Sequence, residues 1–222
     1  MLKTIAMQLP LRLQQTLKRQ LHGHRIRNQC FSGDEPEFHR LQEWVKPGDW
    51  VLDLGANIGQ YTHRLSELVG ATGRVIAFEP MPLTFELLSA NVARFRHHNV
   101  TLINAAASDK AGLVHMDLPS NNFYRASIAP DGAHAVLALT VDELGLGERI
   151  AFVKLDVEGH EHAALLGMYR LIRRDRPTLV VEHSGGTAVE SLLSGAGYQW
   201  SCDADSPNRV YQSRGIRKSA NG

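Results

Sequence analysis

Trp50-Val51-Leu52-Asp53-Leu54-Gly55-Ala56-Asn57-Ile58-Gly59-Gln60-Tyr61 is the stretch on which the fold turns. Val51, Leu52 and Leu54 form a short apolar run, as expected of a strand buried on both faces. From Ile58 the pattern changes: Ile58, Tyr61, Leu65 and Leu68 recur at the three- and four-residue spacing of one helix face. Between the two, Gly55 and Gly59 allow a tight turn and a close approach of a ligand to the main chain. Strand, glycine turn and helix together open an α/β unit with a nucleotide-type cofactor site. A dinucleotide fingerprint requires Gly-x-Gly-x-x-Gly, and Asn57 stands where its second glycine would be. A bare β–α turn without a ligand is the competing reading. Asp53 speaks against it, because a charge at the end of a buried strand is costly unless it has a task.

Downstream, Arg74 to Glu79 reads as the second strand, with an acid at its tip placed to accept hydrogen bonds from both hydroxyls of a ribose. An amphipathic helix follows, with Phe85, Leu88 and Val92 on one face, and then a third strand over Asn99 to Ala105. Ala106-Ala107-Ser108-Asp109 is small enough for an adenine ring to lie flat against it, with the Ser108 hydroxyl beside it; a plain turn reads almost as well. Residues 112–139 hold short strands and loops, an insertion suited to recognising a substrate, with Tyr124, Arg125 and His134 as candidates. Thr140 caps a short helix, and Ile150 to Leu155 is the fourth buried strand. At its end Lys154, Asp156, Glu158, His160 and Glu161 crowd together. In open α/β sheets the ligand crevice lies outside the carboxyl ends of the strands, so this cluster and the glycine turn should open on one side. Glu158 or Glu161 alone is explained by a helix N-terminus, but that does not account for Asp156. A helix over Ala163 to Arg173, a fifth strand over Thr178 to Glu182, a short helix and a closing strand pair complete the chain.

Upstream of Asp34 the chain carries Lys3, Arg12, Lys18, Arg19, Arg25 and Arg27 and no acid. Gln8, Pro10 and Arg12 interrupt any apolar core, so a secretory signal is not expected, and no stretch approaches a membrane span. Leu11, Leu13, Leu17 and Leu21 predict a weakly amphipathic helix with a basic face, able to touch anionic lipid or a partner but read first as a solvated helix on the domain edge. Asp34, Pro36 and Glu37 resemble a capped helix start, with Phe38, Leu41 and Val45 as its apolar face. The formal charge of +1 argues against a protein held to nucleic acid by bulk electrostatics. Two cysteines, Cys30 and Cys202, make no disulfide framework and predict a reduced, cytoplasmic setting.

Read in order, Val-Leu-Asp-Leu-Gly-Ala-Asn-Ile-Gly (51–59), Ala-Phe-Glu-Pro (77–80), Thr-Val-Asp-Glu-Leu (140–144) and Lys-Leu-Asp-Val-Glu-Gly-His-Glu (154–161) resemble the FkbM-type methyltransferases. The resemblance runs from about Trp50 to His183. It implies the class I methyltransferase fold, a Rossmann-like, seven-stranded, mostly parallel sheet between helices with the last strand antiparallel. It also implies methyl transfer from S-adenosylmethionine to a hydroxyl on a small natural product or sugar. By position, Asp53, Gly55, Asn57 and Gly59 surround the methionine end, Glu79 takes the ribose, and Asp156, Glu158 and His160 face the transfer site. His160 or Asp156 is then the base, or Asp156, Glu182 and His183 hold Mg²⁺. The expected organisation is a helical extension over 1–45, the methyltransferase domain over 46–213 and a disordered tail over 214–222. An NAD-dependent oxidoreductase and a non-catalytic cofactor-binding protein are the rivals. A nucleic-acid methyltransferase is not expected, since neither an Asn/Asp-Pro-Pro-aromatic segment nor a Pro-Cys pair is present.

Overall fold

A computed structural model describes residues 11–117, 126–129, 131–182, 186–204 and 206–214. Its centre is the predicted strand, β1 (Trp50–Leu54), paired in parallel with β2 (Arg74–Phe78) on one side. On the other side, β8 (Ile150–Leu155) pairs with β1, also in parallel. The sheet has seven strands, running from β3 (Val100–Ile103) through β2, β1 and β8 to β9 (Thr178–Glu182), and then to β11 (Asn208–Ser213) and β10 (Tyr198–Ser201). β11 is antiparallel to both of its neighbours, as the resemblance implies.

Alternation along the strands explains why β1 is apolar at every position but Asp53. Successive side chains point to opposite faces, and both faces are covered. Leu52 and Leu54 pack with Val153 and Leu155 against Leu165 and Ile172, from α5 (Glu161–Leu166) and α6 (Tyr169–Asp175). Val51 faces the other way with Phe152, onto Tyr61, Leu65 and Val69 of α3 (Gln60–Val69). The helix expected over 163–173 is therefore two helices. The break falls at Gly167, where a Cβ would meet the Ser108 carbonyl oxygen at 1.8 Å. The chain there must be glycine because another backbone touches it.

The stretch from Asp34 to Val45 also departs from expectation. It forms a 3-10 turn (Pro36–Arg40) and a single helical turn, α2 (Leu41–Trp44), with Glu35 rather than Asp34 at the N-cap position and no side-chain cap bond. Glu37 does not reach back to the helix start. It is fully buried and accepts a long hydrogen bond from Asn208 Nδ2 at 3.4 Å. Phe38, Leu41 and Val45 do supply the predicted apolar face, packed with Val51 and Leu65.

The insertion forms a second sheet of four strands, in the order β4 (Ala106–Ala107), β7 (His134–Leu139), β5 (Gly112–Asp117) and β6 (Ser127–Ile128). Met116 and Val136 on its inner face pack with Met81, just ahead of α4 (Pro82–Val92). Ahead of the main sheet, α1 (Leu11–Arg27) lies against α4. α7 (Gly186–Gly195) connects β9 to β10. Among the described residues no helix is long and apolar enough to cross a membrane. The expected tail lies almost wholly outside the described residues.

Candidate active site

The carboxyl ends of β1, β2 and β8 open on one side, as the strand order requires, and two adjoining clefts lie there. The first is lined by Gly55, Asn57, Glu79, Ala105 to Ala107, Asp156, Glu158 and His160, together with Met116, Ala126 and Ile128 of the insertion. The second is lined by Asp53, Tyr61, Lys154 and Asp156, with Gly33 and Glu35 from the segment after α1. Gly55, Asn57 and Asp156 border both.

Glu79 is held from behind. Each carboxylate oxygen accepts one backbone N–H, from Asn57 to Oε2 at 3.0 Å and from Met81 to Oε1 at 2.9 Å. A carboxylate has about four lone-pair sites, so each oxygen keeps one for a ligand hydroxyl. Burial pushes its pKa up to about 7, against the pull of those two N–H bonds.

The glycine turn also has a packing role that its sequence does not display. Gly55 and Gly59 both adopt left-handed backbone, at φ 85° and 91°. What crowds them is protein. A Cβ on Gly55 would meet the Asp156 carbonyl oxygen at 1.7 Å, and one on Gly59 would meet Leu88 Cδ1 at 2.7 Å. The glycines let β1 and β8 close together and seat α3 on α4, and Gly59 lines neither cleft. Asp53 shares a face with Val51 and so points toward α3, where Thr62 Oγ1 donates to its Oδ2 at 2.6 Å. Burial raises its pKa to about 6, with the Thr62 bond and Lys154 pulling the other way.

The cluster after β8 divides. Asp156, Glu158 and His160 border the first cleft. Glu161 does not: it is fully buried and accepts from the Gly159 N–H at 3.0 Å, so the helix-start reading holds for it. His160 Nε2 lies 2.9 Å from Ser108 Oγ, and Ser108 Oγ donates to Asp109 Oδ1 at 3.2 Å. Since the hydroxyl proton goes to Asp109, this pairing places the imidazole proton on Nε2 and leaves Nδ1 with the lone pair. Burial holds the His160 pKa below the ordinary imidazole value, against Asp109 and Glu161. Ser108 is thus a buried partner of His160, and the cleft wall is made by Ala105 to Ala107.

Lys154 is the residue whose weight the sequence understated. It is 2% exposed, donates to Asp156 Oδ2 at 3.1 Å and Asn208 Oδ1 at 3.2 Å, and sits 5.1 Å from the Tyr61 ring centre. The readable signal was a lysine inside an otherwise apolar strand. Burial, with the Asp156 carboxylate nearby, pushes the Glu182 pKa up to about 7. This donor set does not suit Mg²⁺. An ammonium already occupies Asp156, through Lys154. Among the described residues no group of three His, Cys, Asp or Glu is placed to hold a metal. His183, Tyr124 and Arg125 lie outside the described residues, and His134 lines neither cleft.

Residues 53–199 match the methyltransferase FkbM domain family. The chain belongs to that family. It is similar to the hexuronic acid methyltransferase AglP of Haloferax volcanii, 29% identical over 169 residues that cover 74% of this chain and 69% of that protein. It is also similar to the 31-O-demethyl-FK506 methyltransferase FkbM of Streptomyces tacrolimicus, 36% identical over 89 residues, 40% of this chain and 34% of that one. Among solved structures, the FkbM methyltransferase of Methylobacillus flagellatus superposes with a TM-score of 0.57 at 18% identity, over 89% of this chain and 58% of that chain. The chain thus spans only part of these proteins. Family and fold together make it a class I, S-adenosylmethionine-dependent methyltransferase. The residues present suit that cofactor. Glu79 keeps two acceptor positions for a diol, Ala105 to Ala107 offer a flat wall, and a cleft edged by Glu79, Asp156 and Glu158 complements a sulfonium cation.

Proposed function

We propose that the protein O-methylates a hydroxyl on a sugar or a small natural product, with His160 taking the hydroxyl proton. The observation that carries this reading is the Asp109–Ser108–His160 chain at the lip of the cleft that Glu79 anchors. S-adenosylmethionine supplies an electrophilic methyl group on a sulfonium; the chain's residues supply position and proton handling. An alcohol is a weak nucleophile, so a neutral base in hydrogen-bond reach helps it at the transition state. His160 is kept neutral by burial, and its Nδ1 lone pair is the free one. Asp156 borders the same cleft but is tied to Lys154, which suits it to orienting the acceptor. Ala126 and Ile128 on the insertion, lining the same cleft, are placed to shape the acceptor pocket.

Asp53, Gly55, Asn57 and Gly59 build the methionine end in this reading, Gly59 and Asp53 from behind the turn. Ser108 serves His160 rather than the adenine. Residues 46–213 carry the reaction, with Gly33 and Glu35 of the 1–45 segment edging the second cleft. The names of the two relatives, a hexuronic acid methyltransferase and a 31-O-demethyl-FK506 methyltransferase, support a sugar or natural-product acceptor. Near-neutral charge supports a small acceptor over nucleic acid, and the setting we assign is cytoplasmic.

The test is a methyl-transfer assay with labelled S-adenosylmethionine against hydroxylated sugars and metabolites, with structured RNA in parallel. His160→Ala should lower turnover by roughly 10²–10⁴-fold with cofactor affinity nearly unchanged, and a chelator should have no effect. Transfer to RNA alone, or a His160→Ala enzyme at full speed, would overturn the assignment.

A further inference from the structure

α1 is assembled the wrong way round for a surface helix. At 3.6 residues per turn, Leu13, Leu17 and Leu21 fall in one stripe, and they are 45%, 45% and 49% exposed. An ordinary amphipathic helix packs its leucines inward and shows its polar face to water. Here the packed side is polar. Arg19 pairs with Glu86 of α4, and the buried His22 ring nitrogen Nδ1 lies 3.2 Å from Asn91 Nδ2. Ile26 joins a buried cluster with Phe31 and Phe95.

The charges follow the same plan. α1 contains no acid, and on the helix projection Lys18 and Arg25 lie along one flank of the leucine stripe and Arg27 along the other. Arg94 lies against Gly23, its Nε 3.0 Å from where a Cβ there would be. It leads into a surface groove edged by Arg27, Arg64, Arg94 and Arg96, with Glu67 the one acid among its lining residues. Leucines flanked on both sides by cations make an interfacial helix, which buries its apolar stripe among acyl chains while its cations stay at the phosphates. A second copy of this chain is the weaker occupant, because pairing two such stripes would bring Lys18, Arg25 and Arg27 of both copies together. An anionic bilayer meets both the leucines and the cations.

We infer that α1 is a membrane-surface helix that docks the enzyme on anionic phospholipid, with Leu13, Leu17 and Leu21 inserted and Lys18, Arg25 and Arg27 at the headgroups. The helix is about 25 Å long and lies in the interface rather than crossing it. The chain leaving it reaches Gly33 and Glu35 at the edge of the second cleft.

Flotation of the full chain with phosphatidylcholine vesicles, with and without phosphatidylglycerol, tests this. The protein should float with the anionic vesicles and stay behind with phosphatidylcholine alone. Binding should weaken in high salt, because the attraction is screened. Leu13→Gln/Leu17→Gln/Leu21→Gln should lower partitioning by at least about tenfold. Arg25→Gln/Arg27→Gln should lower it by roughly fivefold for each charge removed. All five side chains are exposed, so melting temperature and cofactor binding should be unchanged in the same samples, which separates this result from the transfer reaction. Failure of the unaltered protein to float, or equal flotation of the triple leucine variant, would overturn the inference. So would self-association that the leucine variant abolishes without any flotation, which would assign the stripe to a second copy.

Discussion

Glu79 carries the sharpest expectation, because its geometry fixes both a magnitude and a pH dependence. Its oxygens are pinned by the N–H groups of Asn57 and Met81, and one acceptor position on each is left for a ribose hydroxyl. Hydrogen bonds to a charged group contribute about 1.5–3 kcal/mol each. Glu79→Gln keeps the shape and one carbonyl acceptor, but its amide turns two donors toward one backbone N–H and one hydroxyl. Cofactor affinity should fall by about 1.5–3 kcal/mol, roughly 10- to 150-fold. Glu79→Ala removes both hydroxyl bonds and orphans two backbone donors, so it should also lower stability by about 1–3 kcal/mol for each donor left buried.

The pH dependence has a definite sign. Burial raises the folded pKa to about 7 from an ordinary 4.5. Between those values the folded state keeps a proton that the unfolded state has lost, so this group's contribution to stability is full below 4.5 and fades as pH rises through 7. Binding runs the opposite way. The ionised carboxylate is the better acceptor for two hydroxyls, so affinity should rise with pH up to about 7, by up to tenfold per unit. Asp53 and Glu182 titrate nearby, and Glu79→Gln separates them. Calorimetry with S-adenosylmethionine from pH 5 to 8, in buffers of different ionisation enthalpy, should show proton release on binding that the Gln variant loses. Unchanged affinity in Glu79→Gln, or the same proton release, would refute the ribose assignment.

Two further substitutions probe the frame around the site. Gly55→Ala puts a Cβ 1.7 Å from the Asp156 carbonyl oxygen in left-handed backbone; with left-handed strain of about 1–2 kcal/mol and overpacking of about 1–3 kcal/mol, a thermal melt should fall by roughly 5–15 °C, and an unchanged melt would mean that the segments after β1 and β8 separate easily. Lys154→Met leaves Asp156 and Glu182 facing each other without a cation; since the Asp156 side chain is 34% exposed, the cost should be about 1–3 kcal/mol, below the 3–5 kcal/mol of a fully buried pair, and denaturant titration showing no loss would remove Lys154 from the site's support.

What the sequence revealed, and what it hid, divides along a physical line. Strand identity was legible because β1, β2, β8 and β9 are buried on both faces, and continuous apolar runs ending in Asp53-Leu54, Glu79, Asp156 and Glu182 mark both the strand and its carboxyl end. Even the direction of Asp53 was there to be read: period two places it with Val51 on the α3 face, and Thr62 adjoins Tyr61 on that helix. Gly55 was legible as special but not for what it touches, and Gly167 passed as an ordinary helix position, because the crowding atoms are carbonyl oxygens of Asp156 and Ser108, far away in the chain. Ser108 was hidden for the same reason, since its partner His160 arrives from the far side of the insertion. α1 sets a different limit. The interval between Leu13, Leu17 and Leu21 is identical whether the stripe faces the core or the solvent, because periodicity fixes that a helix has two faces and not which one is buried. The sign had to come from the partners on α4: Asn91 beside the buried His22, with the surface Arg19–Glu86 pair on the same side, which leaves the leucines facing out.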